Sequence, residues 1–288
     1  MSTKSRGAAP VTLAVANQKG GVAKTTSVAS IGAALAELGQ RLLLVDLDPQ
    51  ACLTFSLGID PEDLETSVHH VLTQGVDATE VIIETDEGVD VLPATIELAR
   101  AEADLLTRTG REHVIRGALE QLADDLEDSE EGPYDWVLLD CPPSLGVLTV
   151  AALTAADGVL VPLQCETLSH RGVGQLLDTV HDVRRFTNRD LEVWGVLPTL
   201  YDGRTNHARL VLETISETYD LEVIEPPIPK TIKFAEAPAA GRSILATSRS
   251  SKGATAYREV ARNLVERASR PTERTTGKKA KKPARATS

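Results

Sequence analysis

The sequence predicts a single doubly wound α/β domain, with a mostly parallel sheet flanked by helices. Three observations carry that prediction. Continuous apolar runs such as RLLLVD (41–46), WVLLD (136–140) and GVLVP (158–162) have the composition of strands buried on both faces. Between them lie stretches with the helical repeat of apolar positions, the mark of a helix with one buried face. The chain has 288 residues, 42% hydrophobic but only 3% aromatic, enough for one sizeable core of Val, Leu, Ile and Ala.

Val11–Ala16 is the first expected strand and Thr26–Leu38 the first helix, with apolar positions at Val28, Ile31, Ala34, Leu35 and Leu38. Gly39 is placed to end that helix in a left-handed conformation. Arg41–Asp46 is the second strand. A short helix is expected over Glu62–Val71, a third strand over Val89–Pro93, and amphipathic helices over Glu97–Leu106 and Glu112–Leu126. The acidic run LEDSEEGPYD (126–135) reads as a solvated connection into the strand Trp136–Asp140. The Pro-rich turn Cys141–Ser144 cannot continue that strand. Strands over Gly158–Pro162 and Leu191–Leu197, and helices over Val173–Arg185, Arg204–Tyr219 and Ala254–Arg267, complete the alternation. One domain is therefore expected over 11–267. Residues 1–10 are expected to be a flexible N-terminus, and 268–288 a disordered basic tail whose apolar residues are all alanines.

The net charge of −12 is unevenly spread. From Arg267 to Ser288 eight Lys/Arg stand against one acid, Glu273, while residues 1–266 hold 22 basic and 41 acidic residues. A basic tail on an acidic body fits either a solubilising extension or a tether that follows DNA phosphates. Cys52, Cys141 and Cys165 show no C-x-x-C spacing and read as small buried apolar residues rather than a zinc or disulfide framework. No apolar run is long enough for a membrane span, and the first ten residues have no signal-peptide core, so a cytoplasmic protein is expected.

The stretch Leu13–Thr26 (LAVANQKGGVAKTT) passes from strand to helix through Gly20 and Gly21. Such a turn offers backbone N–H groups and a helix N-terminus to one anion, a phosphate site. Lys24 can add a point charge and the Thr25 hydroxyl can ligate Mg²⁺. The general P-loop pattern G-x-x-x-x-G-K-S/T fails, because Gln18 and Ala23 stand at its glycine positions. Two acids end the second strand in VDLDPQ, Asp46 and Asp48, and Asp140 ends another, so all three fall at the strand ends where open α/β sheets bind ligands.

The octet Lys19–Thr26, K-G-G-x-G/A-K-S/T-S/T with a lysine ahead of the glycines, resembles the deviant Walker A motif of the ParA/Soj/MinD family of P-loop ATPases. LLLVDLDPQ, YDWVLLDCPPS, TLYDGRTNHARLV and IPKTIKFAEAP are similar to further blocks of the chromosomal ParA/Soj branch, in the same order. The resemblance implies a slow ATPase using ATP and Mg²⁺ that forms an ATP-dependent homodimer. Lys19, Gly20, Gly21, Val22, Ala23, Lys24, Thr25 and Thr26 would cradle ATP, with Lys19 reaching the partner's phosphates. Thr25 would hold Mg²⁺, Asp46 and Asp140 would support it, and Asp48 would orient the attacking water. Pro229 and Thr231 fall in the family's adenine-lining segment, where Thr231 replaces the usual asparagine. Ala23 replaces a glycine, and its methyl group is accommodated if that residue keeps φ below zero; nucleotide binding is expected to survive the change.

The resemblance also implies a ParB-like partner and non-specific DNA contact through Arg204, Lys230, Lys233 and Arg242, giving a nucleoid-associated protein. Only ten residues precede the first strand, so the short form without a helix-turn-helix is expected. Three other readings stay open. An orphan ATPase could position another cargo. A MinD-like membrane ATPase is disfavoured by a tail without Leu, Phe or Trp. An iron–sulfur relative would need Cys141 in a suitable setting.

Overall fold

The computed structural model describes residues 9–270, except 128, 130, 131, 167 and 168. Seven strands form one sheet: β1 (Val11–Val15), β2 (Leu42–Asp46), β3 (Ile83–Glu84), β4 (Asp90–Leu92), β5 (Trp136–Asp140), β6 (Gly158–Gln164) and β7 (Glu192–Thr199). Their order is β3-β4-β2-β5-β1-β6-β7, parallel except at the edge, where β3 runs against β4. The helices are α1 (Lys24–Glu37), α2 (Cys52–Ser56), α3 (Val68–Gln74), α4 (Leu98–Leu106), α5 (Val114–Glu127), α6 (Val147–Ala155), α7 (Ser169–Phe186), α8 (Asn206–Tyr219), α9 (Lys233–Ala239), α10 (Ile244–Thr247) and α11 (Lys252–Ala268).

Alternation along each strand divides the core into two layers. Ala14, Leu43, Val45, Val137, Leu139 and Val161 pack with α3 to α8 on one face. Leu13, Val15, Leu42, Leu44, Trp136 and Leu138 pack with α1, α2 and α9 to α11 on the other. The chain lays β2 and β4 on one side of β1 and β6 and β7 on the other. The sheet therefore reverses direction around β1, and a crevice opens beyond the carboxyl ends of the central strands. Register fixes what stands there: Val15 lies opposite Asp140, and Asp140 opposite Asp46.

The expected elements form with modest boundary shifts, and three differences have physical causes. Over 62–71 the chain makes a short turn at Pro61–Asp63, where Asp60 accepts the Glu62 N–H, and the helix starts only at Val68. α6 (VLTVAALTA) escaped the periodicity reading because it is apolar on every side and almost wholly buried. α11 runs to Ala268, one residue into the expected tail, whose remainder from 271 lies outside the described residues, as do residues 1–8 of the expected flexible N-terminus. Cys52 corrects another expectation. It is exposed at the start of α2, while Cys141 and Cys165 are buried as expected.

On the second face Trp194 covers the start of β6, edge-on to Trp136 with ring centroids 6.0 Å apart. A Cβ on Gly158 would fall 2.2 Å from the Trp194 indole nitrogen. A rigid ring cannot retreat as an alkyl tip can. Gly158→Ala should therefore lower the unfolding free energy by about 1–3 kcal/mol in denaturant titration, and an unchanged midpoint would show that the ring is free to move.

Candidate functional site

Beyond β1 the chain is held by side chains that reach back from the sheet. Asn17 is buried, donates from Nδ2 to the Pro162 carbonyl at 2.7 Å and accepts the Lys19 N–H on Oδ1 at 3.0 Å. The buried Thr199 hydroxyl, at the end of β7, donates to the Val22 carbonyl at 2.9 Å. Lys24 folds its ammonium back to the Lys19 carbonyl at 3.2 Å. These bonds fix the loop so that α1 starts with no side-chain cap and no acid in its first turn. Its leading N–H groups point out of the helix toward the crevice, an anion site by construction. A cleft of about 440 Å³ opens beside the loop, lined in part by Asn17, Lys19, Val22, Pro143 and Leu163.

Two residues of the turn are left-handed, Gly21 at φ 73° and Ala23 at φ 63°. The second does not meet the condition, φ below zero, under which the Ala23 methyl group is accommodated. Its Cβ then crowds the following carbonyl, at a cost of about 1–2 kcal/mol. The turn is held despite that cost.

Asp46 and Asp140 are fully buried. Asp46 is well partnered: Oδ2 accepts the Thr54 N–H at 2.9 Å and its hydroxyl at 2.8 Å, and Oδ1 accepts the Asp48 N–H at 3.1 Å. Asp140 is not. Neither of its oxygens has a hydrogen-bond partner among the described residues. Thr25 lies near enough to draw its pKa back down, yet without the geometry of a hydrogen bond. Burial raises both carboxyls above the usual range, and for Asp140 the Asp46 charge adds to the rise. Lys24, also buried, is pushed down by burial and held up by Asp140, then Cys141 and Asp48. A buried acid pair facing one lysine, with two oxygens unclaimed, has the donor set of a hard-cation site with a hydroxyl ligand to hand. Asp48, half-buried at the rim, accepts the Gln50 N–H on Oδ1 at 3.0 Å. Lys19 forms an ion pair with Glu166 just beyond β6.

A family model described as an AAA domain matches residues 11–193. The sporulation initiation inhibitor protein Soj of Bacillus subtilis is 42% identical over 88% of this chain and 97% of its own length. The chromosome partitioning protein ParA of Caulobacter vibrioides is 40% identical over 88% and 94%. The chain belongs to the ParA/Soj family. Among solved structures, cobyrinic acid a,c-diamide synthase from Mycobacterium smegmatis with bound ADP and magnesium is 55% identical, covering 90% of this chain and 95% of that one, with a TM-score of 0.78. The same protein has been solved with an ATP analog and magnesium.

In this ParA/Soj chain the residues from Lys19 to Thr26, Asp46, Asp48 and Asp140 converge on one crevice. Pro229 bridges Tyr201 just past β7, the strand that holds Val22, while the Thr231 hydroxyl accepts the Lys233 N–H at the start of α9. The four basic residues have different neighbours. Arg204 and Lys230 both act on Asp202, and Arg204 grips it with two bonds of 2.9 Å. Lys233 is exposed at the start of α9, and Arg242 pairs instead with Asp86 at 3.0 Å. Thr54, Asn17 and Thr199 were missed from sequence. The run NQKGG carried a hint of Asn17, but nothing marked a threonine on a five-residue helix. Cys141 is buried with its thiol pushed up, a poor setting for a metal thiolate.

Removing the misplaced methyl group should relieve the turn. Ala23→Gly is expected to raise the unfolding free energy by about 1 kcal/mol, the left-handed cost less the extra entropy of an unfolded glycine. A fall in stability in denaturant titration would mean that Ala23 is unstrained.

Proposed function

We propose that this chain is a dimerising switch ATPase that binds DNA without sequence preference and acts in chromosome or plasmid partition with a ParB-like partner. The observation that carries this reading is the meeting of an uncapped helix N-terminus, a buried lysine and the unpartnered Asp140 carboxylate beyond the carboxyl ends of the central strands. The first two suit the phosphates of ATP and the third suits Mg²⁺. The N–H groups of the 19–26 loop cradle the phosphates, and Lys24 neutralises charge on the transferring group. Thr25 would hold Mg²⁺ with Asp46 and Asp140 behind it. Bound Mg²⁺ would supply positive charge to the phosphate oxygens and make the buried carboxylates tolerable. Asp48 orients the water that attacks the terminal phosphorus, giving ADP and phosphate.

Lys19 acts across the dimer. In the single chain it pairs with Glu166, and both side chains are partly exposed, so opening that pair costs little. Arg204, Lys230, Lys233 and Arg242 supply DNA contact; each is weak alone and is multiplied when ATP joins two chains. The ParB-like partner speeds an intrinsically slow hydrolysis, and DNA retention gives nucleoid association.

A second reading takes up the name of the Mycobacterium smegmatis structure, an ATP-dependent amide synthesis. The phosphate site would serve it equally. Burial pushes up the thiols of Cys141 and Cys165, the latter to about 11, which leaves neither primed to release ammonia from an amide. Among the described residues no helix is long and apolar enough to cross a membrane.

The test is ATP turnover together with retention on non-specific DNA. The wild type should hydrolyse ATP slowly with Mg²⁺, Lys24→Ala should lose turnover, and Asp48→Ala should lose turnover yet stay on DNA longer. Arg204→Ala should weaken retention on every sequence alike, without touching turnover. DNA retention indifferent to ATP, or amidation of a corrinoid acid by the purified chain, would overturn the reading.

A further inference from the structure

The Thr54 hydroxyl stands where three segments meet. Thr54 lies on α2 with none of its surface exposed. Its Oγ1 accepts the Ala94 N–H at 3.0 Å, from the segment that follows β4, and donates to Asp46 Oδ2 at 2.8 Å, at the end of β2. A hydroxyl carries one proton, so the bond received from Ala94 leaves that proton for Asp46. The Thr54 N–H, one of those left open in the first turn of α2, donates to the same Oδ2 at 2.9 Å. Two donors from one residue therefore grip one carboxylate oxygen and fix its rotation. The other oxygen, Oδ1, accepts the Asp48 N–H at 3.1 Å. Asp48 in turn accepts the Gln50 N–H on its side chain at 3.0 Å and the Ala51 N–H on its carbonyl at 2.9 Å. An unbroken run of hydrogen bonds thus leads from Ala94 through Thr54 and Asp46 to Asp48.

We propose that Thr54 is a positioning residue for ATP hydrolysis, whose hydroxyl sets the rotation of the Asp46 carboxylate and, through the Asp46–Asp48 bond, the place of Asp48 at the rim of the crevice. It acts through the two acids and not on the nucleotide itself. Leu53, the residue before it, is wholly buried in the core layer that holds α1, so α2 offers Asp46 a fixed point of attachment. Without the hydroxyl, Asp46 keeps only the Thr54 N–H on Oδ2, and the Ala94 N–H loses its acceptor. A carboxylate free to turn carries Oδ1 away from the Asp48 N–H. Misplacing a water-orienting group by about 1 Å can cost up to about a hundredfold in rate. A threonine kept only for the fold would instead cost stability without a selective loss of turnover.

The inference rests on the ATPase reading, and the experiment separates the two. The full-length wild type would be compared with Thr54→Val, which keeps the shape and loses the hydroxyl, and with Thr54→Ser, which keeps the hydroxyl. Thr54→Cys, a weaker donor, serves if the valine variant does not fold. Gly158→Ala, at the start of β6 and so at the opposite end of the sheet from the site, controls for lost stability. The readouts are steady-state ATPase kinetics at saturating Mg²⁺, ADP affinity by calorimetry, and the rise in Tm with ATP alone and with ATP plus Mg²⁺. Thr54→Val should lower kcat about tenfold, with KM for ATP and ADP affinity within about twofold of wild type. It should also shrink the part of the Tm rise that Mg²⁺ adds, leaving the rise with ATP alone unchanged. Thr54→Ser should keep kcat within about threefold, Thr54→Cys should fall between serine and valine, and Gly158→Ala should keep kcat within about twofold despite its lower Tm. A wild-type kcat in Thr54→Val, or in Thr54→Cys should the valine variant not fold, overturns the proposal. So does an equal loss in Thr54→Ser and Thr54→Val, which would make packing of the methyl group the cause, or an equal loss of kcat in Gly158→Ala. Absence of Mg²⁺-dependent turnover in the wild type would instead overturn the ATPase reading beneath it, and the Mg²⁺-dependent Tm rise would then decide whether Thr54 places Asp46.

Discussion

Two buried carboxylates side by side dominate the energetics of this fold. The β2–β5 register sets Asp46 opposite Asp140, each fully buried at the carboxyl end of a central strand. Two adjacent acids in a low-dielectric interior cannot both ionise cheaply, and burial accordingly raises both. Much of the neighbouring structure serves to make that pair bearable. α2 exists to place Thr54, which gives Asp46 two donors and accepts the Ala94 N–H at 3.0 Å, tying the second strand to the segment after β4. Asp140 receives no such help, and the nearby positive charge is a lysine that burial itself disfavours. The deficit points outward, to a cation that arrives with a ligand.

The same logic orders the loop above the pair. Asn17, Thr199 and the Lys24 ammonium hold backbone atoms of residues 19–22, which leaves the first N–H groups of α1 free to meet an anion. Anion site and acid pair are thus adjacent and opposite in sign, and a nucleotide with its metal ion matches both at once. The left-handed Ala23 shows how firmly the turn is imposed, since the fold keeps the conformation where the side chain resists it.

Much of this was legible in the sequence for a physical reason. Buried parallel strands read as continuous apolar runs, so an acid at the end of such a run, as at Asp46 or Asp140, announces itself as misplaced unless it has work to do. The turn at Gly20 and Gly21, followed by Lys24 and Thr25 at a strand-to-helix junction, stood out as a phosphate-binding candidate, whereas Lys19 stood out only through the resemblance of the whole octet. What stayed hidden depends on partners distant in the chain. The Arg242–Asp86 pair links residues 156 apart, so the sequence offered only a basic side chain and no sign that it was engaged. α6 carries no periodicity because both sides are buried, and Cys52 looked like core because nothing local exposes it.

The central claim is that the acid pair and the uncapped helix are one incomplete site, finished by nucleotide and Mg²⁺ together. Thermal unfolding of the wild type and of Asp140→Asn, with ATP alone and with ATP plus Mg²⁺, tests it most directly. The account predicts that Mg²⁺ greatly enlarges the ATP-induced rise in Tm of the wild type and that Asp140→Asn loses this added rise. An equal rise with and without Mg²⁺, or an Asp140→Asn variant that keeps the full Mg²⁺ effect, would contradict it.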